Sequence, residues 1–221
     1  MAAKKKAVGK KVGAAKPARR TKGPAKKTDT AVYKFKITLL GWKPLIWRRI
    51  LVPEGMLVDL HEHIQTAMGW TNSHLHQFEI RGRRYGIPAH LNEDWLDEDE
   101  KALDSTQITL SSLFGGPRPS RTLRYDYDFG DSWEHNVDFE ELQAAEPGVK
   151  YPCCIEGARA CPPEDVGGVW GYATMLEALA KPKHPEHDHY LEWIGDEFDP
   201  DEFDAAEATK AMRKGLPAWL A

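Results

Sequence analysis

The chain has few cysteines and none of the spacings by which cysteine and histidine usually hold a structural zinc ion. Its 221 residues include three cysteines, and an odd number in a chain of this length does not make a disulfide framework. No Cys-x-x-Cys pair and no HExxH motif occurs. We therefore predict three reduced thiols, free to act as ligands: Cys153, Cys154 and Cys161.

Long apolar runs are also absent. No stretch of 18 apolar residues occurs, and the N-terminal segment lacks the apolar core of a secretory signal. The chain is therefore expected to be a cytoplasmic protein without a membrane partner. With 41% hydrophobic residues, it has enough apolar side chains for a substantial core.

Acidic residues are missing from the first 28 positions, which carry eleven Lys and Arg. The rest of the chain holds the other 19 basic residues and all 34 acidic ones, a net charge of −15. Such a basic, apolar-poor segment predicts a disordered tail (residues 1–28) before a single domain (residues 29–221). Cations on a flexible chain attract nucleic acid without sequence preference, because they neutralise phosphates and release counterions. The residues predicted to contact nucleic acid are Lys4, Lys5, Lys6, Lys10, Lys11, Lys16, Arg19, Arg20, Lys22, Lys26 and Lys27.

Regular alternation of strands and helices is the last missing feature, and it argues against a parallel sheet. The stretch "AVYKFKITLL" alternates apolar and polar residues, which predicts a half-buried strand, and "PLIWRRILV" after the turn at residues 41–44 is predicted as its antiparallel partner. Between them and the next strands, "LVDLHEHIQTAMGW" places apolar residues on one helical face, with Gly69 positioned to end the helix. The pattern predicts an α+β fold, with helices packed on a largely antiparallel sheet.

The second half of the chain contains a predicted β-hairpin and two predicted helices. The hairpin spans "TLRYDYDFGDSWEHNVDFEEL", with the sequence DFGD at its tip. A Pro- and Cys-rich loop is predicted over residues 147–171, followed by helices in "YATMLEALA" and "DPDEFDAAEATKAMRKGL". In the last helix, Asp199 is predicted as the N-cap, Pro200 in the first turn, Glu202 in a capping box and Gly215 at the end.

Four stretches together resemble one protein family. They are "WRRILVPEGMLVDLHEHIQTAMGWTNSHLHQF", "YDYDFGDSWEH", "GARACPPEDVGGVWGY" and "EWIGDEFDPDEFD". In this order they are similar to the plasmid pRiA4b ORF-3-like family, from about Tyr33 to Phe203. The resemblance implies a compact α+β domain of the kind found on plasmids and near transposable elements, and it implies no particular reaction. Many relatives have a cysteine where this chain has Val166, so a third cysteine ligand is not a requirement here.

One set of side chains has the chemistry of a metal site. Imidazole, carboxylate and thiolate are the ligands that zinc and similar divalent ions prefer. Residues two apart on a strand share a face, which places His74 beside His76 and Asp126 beside Asp128. If the two pairs face each other, they converge on one ion. The predicted ligands are His74, His76, Asp128, His135, Cys161 and Asp165.

Other roles fit the same residues. Asp128 and Asp131 suit a tight turn, in which their carboxylates accept backbone hydrogen bonds, and His135 suits a buried polar contact. A cysteine beside His135 would form a nucleophilic pair, because a nearby imidazolium lowers the pKa of a thiol. Catalytic residues therefore stay unassigned from sequence.

Three hypotheses about function follow. The first is a nucleic-acid-associated accessory factor of the mobile-element type, in which the tail attracts DNA and the domain binds a protein or small ligand. The alternative is a metal-dependent hydrolase or nuclease that uses the His/Asp/Cys set. The third is a protein-interaction module without catalysis. The sequence leaves open whether the chain is an enzyme.

Overall fold

A single eight-stranded sheet organises the residues that the computed structural model describes, which are 31–92, 96–97, 100–195 and 198–217. The predicted basic tail lies outside these ranges. The strand order is β5-β4-β3-β6-β7-β1-β2-β8, and every neighbouring pair is antiparallel except β4 and β5. The strands are β1 (Ala31–Leu39), β2 (Trp47–Pro53), β3 (His76–Ile80), β4 (Arg83–Gly86), β5 (Leu103–Asp104), β6 (Thr122–Tyr127), β7 (Trp133–Ala144) and β8 (Cys153–Ala158).

Six α-helices accompany the sheet in the described ranges, and they confirm the α+β prediction. They are α1 (Leu57–Met68), α2 (Pro88–Leu91), α3 (Leu110–Phe114), α4 (Gly168–Ala180), α5 (His187–Ile194) and α6 (Ala205–Lys214). None of them is long and apolar enough to span a membrane. Helix α1 follows its prediction, ending at Gly69 with a φ of 103°.

The core lies on one face of the sheet. Alternate residues of β1, from Tyr33 to Leu39, are buried on this face, and they pack with Leu57, Leu60 and Ile64 of α1. Burial of this many aliphatic and aromatic side chains is the main stabilising contribution to the fold. The period-two pattern in the sequence thus predicted both the strand and its buried side.

The opposite face of the sheet carries a small apolar cluster of Val32, Leu51 and Cys153, and elsewhere its charged side chains pair within and across strands. Arg49 contacts Glu140 and Glu156, and Arg124 contacts Asp126 and Glu134. Exposed pairs of this kind contribute at most about 1 kcal/mol each to stability. Because basic and acidic groups alternate, this face does not form a broad basic patch for nucleic acid.

The predicted start of the last helix is wrong. Helix α6 begins at Ala205, and its N-cap is Asp204, whose carboxylate accepts hydrogen bonds from the amides of Ala206 and Glu207. The carboxylate of Asp199 instead accepts a hydrogen bond from the amide of Asp201 in a separate turn. Two capping aspartates occur five residues apart, and local preference did not distinguish them. The predicted end at Gly215 is confirmed.

The predicted loop over residues 147–171 contains a strand. Strand β8 pairs with β2, and its Cys154 amide donates a hydrogen bond to Thr209 of α6. Buried cysteines act as small apolar residues, so Cys153 and Cys154 pack on opposite faces of the sheet edge. Helix α4 also starts inside the predicted loop, with Gly167 at its N-cap and no side-chain cap from Glu164 or Asp165.

Candidate functional site

Three of the predicted ligands meet at one end of the sheet. The Nε2 atom of His74 lies 3.0 Å from Oδ1 of Asp165 and 3.5 Å from Oδ2 of Asp128. One ligand atom from each of the three residues lies within 4.8 Å of the other two. Asp128 is almost fully buried, whereas the Asp165 side chain is 68% exposed. The cluster is therefore closed on the protein side and open toward solvent.

Each member of the cluster lies just outside a regular element. His74 is in the connection between α1 and β3, Asp128 follows β6 in the hairpin turn, and Asp165 precedes α4. Asp128 and Asp165 have φ angles of 55° and 61°, in the left-handed region that few residues other than glycine adopt. Such conformations concentrate at functional sites, where the surrounding fold holds them in place.

The carboxylate of Asp128 has two separate roles. Its Oδ1 accepts hydrogen bonds from the amides of Gly130 and Asp131 and so closes the hairpin turn. Its Oδ2 faces His74. The turn role and the ligand role considered from sequence are thus compatible, because each uses a different oxygen.

The Nε2 atom of His74 is buried but makes no hydrogen bond within the described residues. Two carboxylate oxygens lie within ion-pair distance of it, yet neither accepts a hydrogen bond from the ring. A buried polar atom without a partner costs free energy, and each such atom requires an explanation. A cation shared by the imidazole and the two carboxylates would provide one.

Glu164 connects the three segments that carry the cluster. Its Oε1 accepts hydrogen bonds from the Tyr127 hydroxyl at 2.6 Å and the Thr71 amide at 3.1 Å. Its Oε2 accepts from the hydroxyls of Thr71 at 2.6 Å and Ser73 at 3.1 Å. Tyr127 immediately precedes Asp128, Ser73 precedes His74, and Glu164 itself precedes Asp165. One carboxylate therefore fixes the position of the residue next to each candidate ligand.

The charge of Glu164 suits this role. Burial raises the pKa of its carboxyl group, but the hydrogen bonds from Thr71, Tyr127 and Ser73 outweigh burial and hold the pKa below its usual range. The ionised carboxylate can accept from all these donors at once. The Tyr127 hydroxyl also accepts a hydrogen bond from the His74 amide at 3.3 Å, which extends the network to the backbone of a candidate ligand.

The hairpin turn and the loop before α4 are locked together. The Asp131 carboxylate accepts a hydrogen bond from the Gly167 amide at 3.0 Å. Next to it, Gly168 has a φ of 66°, and a Cβ atom there would lie 2.5 Å from the carbonyl oxygen of Asp131. Only glycine allows the two backbones to approach this closely. This contact sets the distance between Asp128 and Asp165.

Replacing Gly168 with alanine is expected to lower the free energy of unfolding by about 2 kcal/mol or more, because it adds a steric clash to the 1 to 2 kcal/mol cost of a left-handed alanine. Gly148 is a matched control, since its φ is 83° but no atom lies within 4 Å of its Cβ position. Urea unfolding of both variants measures the difference. Equal losses for Gly168→Ala and Gly148→Ala would show that the close approach is unimportant.

The structure does not bring the other three predicted ligands to the cluster. His76 stacks on His61, with ring centroids 3.4 Å apart. His135 is fully buried, and its Nδ1 lies 3.3 Å from the carbonyl oxygen of Tyr125. Cys161 lies in the region of Arg48. The positions brought together are therefore His74, Asp128 and Asp165, and those left apart are His76, His135 and Cys161.

The thiols are not activated as nucleophiles. Burial raises the pKa of Cys161 to about 12, although the nearby Arg48 guanidinium acts in the opposite direction. Burial also raises the pKa values of Cys153 and Cys154. A thiol with a raised pKa is protonated at neutral pH and is a weak nucleophile. The environment of these cysteines therefore does not favour the cysteine and His135 pair considered from sequence.

Sequence reasoning did not identify the role of Glu164. The partners of Glu164 lie 37 to 93 positions away along the chain. A motif search over neighbouring residues cannot detect such distant partners. The only local indication was that an acid precedes Asp165 in a rigid Pro- and Gly-rich stretch.

Comparisons with known proteins agree with the fold. A family model described as plasmid pRiA4b ORF-3-like protein matches residues 31–207. The chain is 38% identical over 191 residues to "Uncharacterized protein y4hQ" of Sinorhizobium fredii (strain NBRC 101917 / NGR234), covering 86% of this chain and 94% of the relative. It is 39% identical to a crystal structure of a protein of unknown function, MM3350 from Methanosarcina mazei Go1. That match has a TM-score of 0.69 and covers 82% of this chain and 98% of the other. The family match includes all three cluster residues and Glu164.

Proposed function

The chain belongs to the plasmid pRiA4b ORF-3-like family. We propose that this member is a divalent-metal-dependent hydrolase whose ion is held by His74, Asp128 and Asp165. The observation that carries the proposal is the buried, unbonded Nε2 of His74 facing two carboxylate oxygens. Three different segments converge to make this arrangement. An acidic surface exposed to solvent does not need three segments to converge in this way.

The donor set suits a catalytic ion rather than a structural one. Structural zinc sites use four protein ligands, whereas catalytic sites use three and leave a position open. Here one imidazole and two carboxylates supply three donors, and the exposed Asp165 side faces solvent. One nitrogen and two oxygens suit zinc, manganese or ferrous iron better than a thiolate-selective ion.

The protein groups around the cluster are organised to hold and orient an ion. A bound divalent ion supplies a Lewis acid and lowers the pKa of water, which is the chemistry of hydrolysis at neutral pH. The Gly130 and Asp131 amides orient the Asp128 carboxylate, and the Glu164 network holds the backbone beside His74. Such supporting contacts are typical of functional metal sites.

Elemental analysis of the full chain, purified without chelator and again after dialysis against zinc or manganese, tests the proposal. We expect one ion per chain in the wild type. His74→Ala and Asp128→Asn should lose most of it, and the exposed His189→Ala on α5 should retain it. Absence of a stoichiometric ion from the wild type under all three conditions would refute the proposal. An ion retained by both cluster variants would place it elsewhere.

The charge of the tail favours a second function, association with nucleic acid. Eleven basic residues without an acid precede position 29, while the rest of the chain has a net charge of −15. The tail is therefore the basic part through which non-specific attraction to phosphates would act. In this proposal the domain, whose charged sheet face is already paired, binds a protein or a small ligand.

A salt series separates the tail from the domain. We expect the full chain to bind DNA more tightly than a chain beginning at Asp29. The logarithm of the binding constant of the full chain should fall steeply with the logarithm of the salt concentration. A full-length variant with glutamine at all eleven tail positions is the matched control for length. Equal affinity of the three proteins at every salt concentration would exclude a role for the tail.

A further inference from the structure

A pocket of about 390 Å³ opens beside the cluster. His74 belongs to both, because its Nε2 faces the two aspartates and the residue is part of the pocket lining. The lining combines polar and apolar side chains, and none of its described residues is acidic. It consists of Asn72, Ser73, His74, Leu75, His76, Ile87 and His90.

His76 lines this pocket and stacks on His61, and the two histidines differ in their hydrogen bonds. His61 is satisfied at both ring nitrogens, by the Tyr125 hydroxyl and by the Asn72 side-chain oxygen, each at 2.8 Å. The Tyr125 hydroxyl also accepts a hydrogen bond from Gln65, so His61 belongs to a closed structural network. His76, which stacks on it, is 8% exposed, and its Nε2 has no partner among the described residues.

His76 and His90 both line the pocket, but their settings differ. His76 begins β3 and is buried, while His90 belongs to the short helix α2 and is exposed at the pocket's edge. Each neutral imidazole offers one N–H donor. With His74, three histidines line a cavity whose described lining has no carboxylate, directly beside a cluster that contains two.

We propose that this pocket binds an oxyanion group of the substrate, of the phosphoryl or carboxylate kind, and that His76 and His90 donate hydrogen bonds to it. The inference rests on the proposed function for the position of the ion, and it names the substrate class. An acidic group bound here would lie next to His74, which also belongs to the cluster that would hold the ion. The ion would supply the Lewis acid for hydrolysis of a bond close to that group.

The separation of the two regions supports this assignment. Asp128 and Asp165 repel an anion unless a cation lies between them, whereas the described lining of the pocket offers imidazole donors and carries no carboxylate of its own. A hydrogen bond to a charged acceptor is stronger than a hydrogen bond between two neutral groups. Leu75 and Ile87 add apolar contacts suited to the organic part of an ester.

Titration of the full chain with inorganic phosphate, and separately with acetate, tests the inference. Histidine ring resonances are followed by NMR in the metal-free protein and in protein loaded with zinc and freed of unbound ion. We expect the resonances of His76 and His90 to shift on binding. The affinity of His90→Ala should fall about tenfold, because one hydrogen bond to a charged group is lost. The exposed His189→Ala should bind like the wild type.

The outcomes separate this inference from the proposed metal function. Binding of phosphate identifies a phosphoryl group, binding of acetate a carboxylate, and dependence of either on His90 supports the inference. Equal affinity of wild type, His90→Ala and His189→Ala, or no binding of either anion to either form, would overturn it. Zinc occupancy, measured on the same samples, reports on the ion alone. If the protein holds no zinc but still binds phosphate or acetate in a way that depends on His90, the metal function is refuted and the assignment of the pocket stands.

Discussion

The free energy of unfolding is expected to fall by about 6 kcal/mol or more between pH 7 and pH 4, because histidines are buried in the neutral form. Burial lowers the pKa of His61 and of His135 to about 4 in the folded protein. In the unfolded chain both titrate near their ordinary value of about 6.5. The unfolded state therefore binds more protons in this window, and each histidine removes roughly 3 kcal/mol of stability at pH 4. His76, with a pKa lowered by burial to about 2, acts in the same direction.

Urea unfolding at pH 7, 5.5 and 4 measures this loss. A His135→Gln variant removes one of the titrating groups and should lose roughly 3 kcal/mol less stability than the wild type over the same range. His189→Ala, at an exposed position on α5, should show the wild-type dependence. A free energy of unfolding that stays constant from pH 7 to pH 4 would show that these histidines are not held neutral.

Replacing Glu164 with alanine is expected to weaken binding of a divalent ion by about 10- to 100-fold, although Glu164 is not one of the three ligands. The substitution removes the acceptor of four hydrogen bonds and frees the residues next to His74 and Asp128. Asp165, the next residue, loses the same support. Calorimetric titration of metal-free protein with zinc measures the change.

A control substitution at a second glutamate distinguishes the effect of the Glu164 hydrogen bonds from the effect of losing one negative charge. Glu192 is exposed on α5, so Glu192→Ala removes the same charge without touching the network. Its zinc affinity should equal that of the wild type, and Glu164→Gln should lie between the wild type and Glu164→Ala. If Glu164→Ala binds zinc as tightly as Glu192→Ala does, the network does not position the ligands.

Local patterns predicted strands β1, β2, β6 and β7 and the first helix. The alternation in β1 and the apolar face of α1 follow directly from how strands and helices bury one side. Strand β8 was not predicted, because Cys153, Cys154 and Ile155 give no alternation and prolines precede and follow them in the chain. The start of α6 was wrong for a related reason, since Asp199 and Asp204 are equally good caps in isolation.

The candidate site could be predicted only in part. His74, Asp128 and Asp165 were among six proposed ligands, but the reasoning that paired His74 with His76 assumed that both lie on a strand. His74 precedes β3, and Asp128 follows β6 with a positive φ, so the period-two rule does not apply to either. The converging geometry arises from long-range packing of loops, which the sequence does not encode locally.

The most direct test is anomalous X-ray scattering from crystals of the full chain grown with zinc. We predict one anomalous peak within about 2.0 to 2.3 Å of the His74 Nε2 atom and of one carboxylate oxygen each from Asp128 and Asp165. A peak at Cys161 or at the His61 and His76 stack, or no peak in protein saturated with zinc, would contradict the assignment of this cluster as the metal centre.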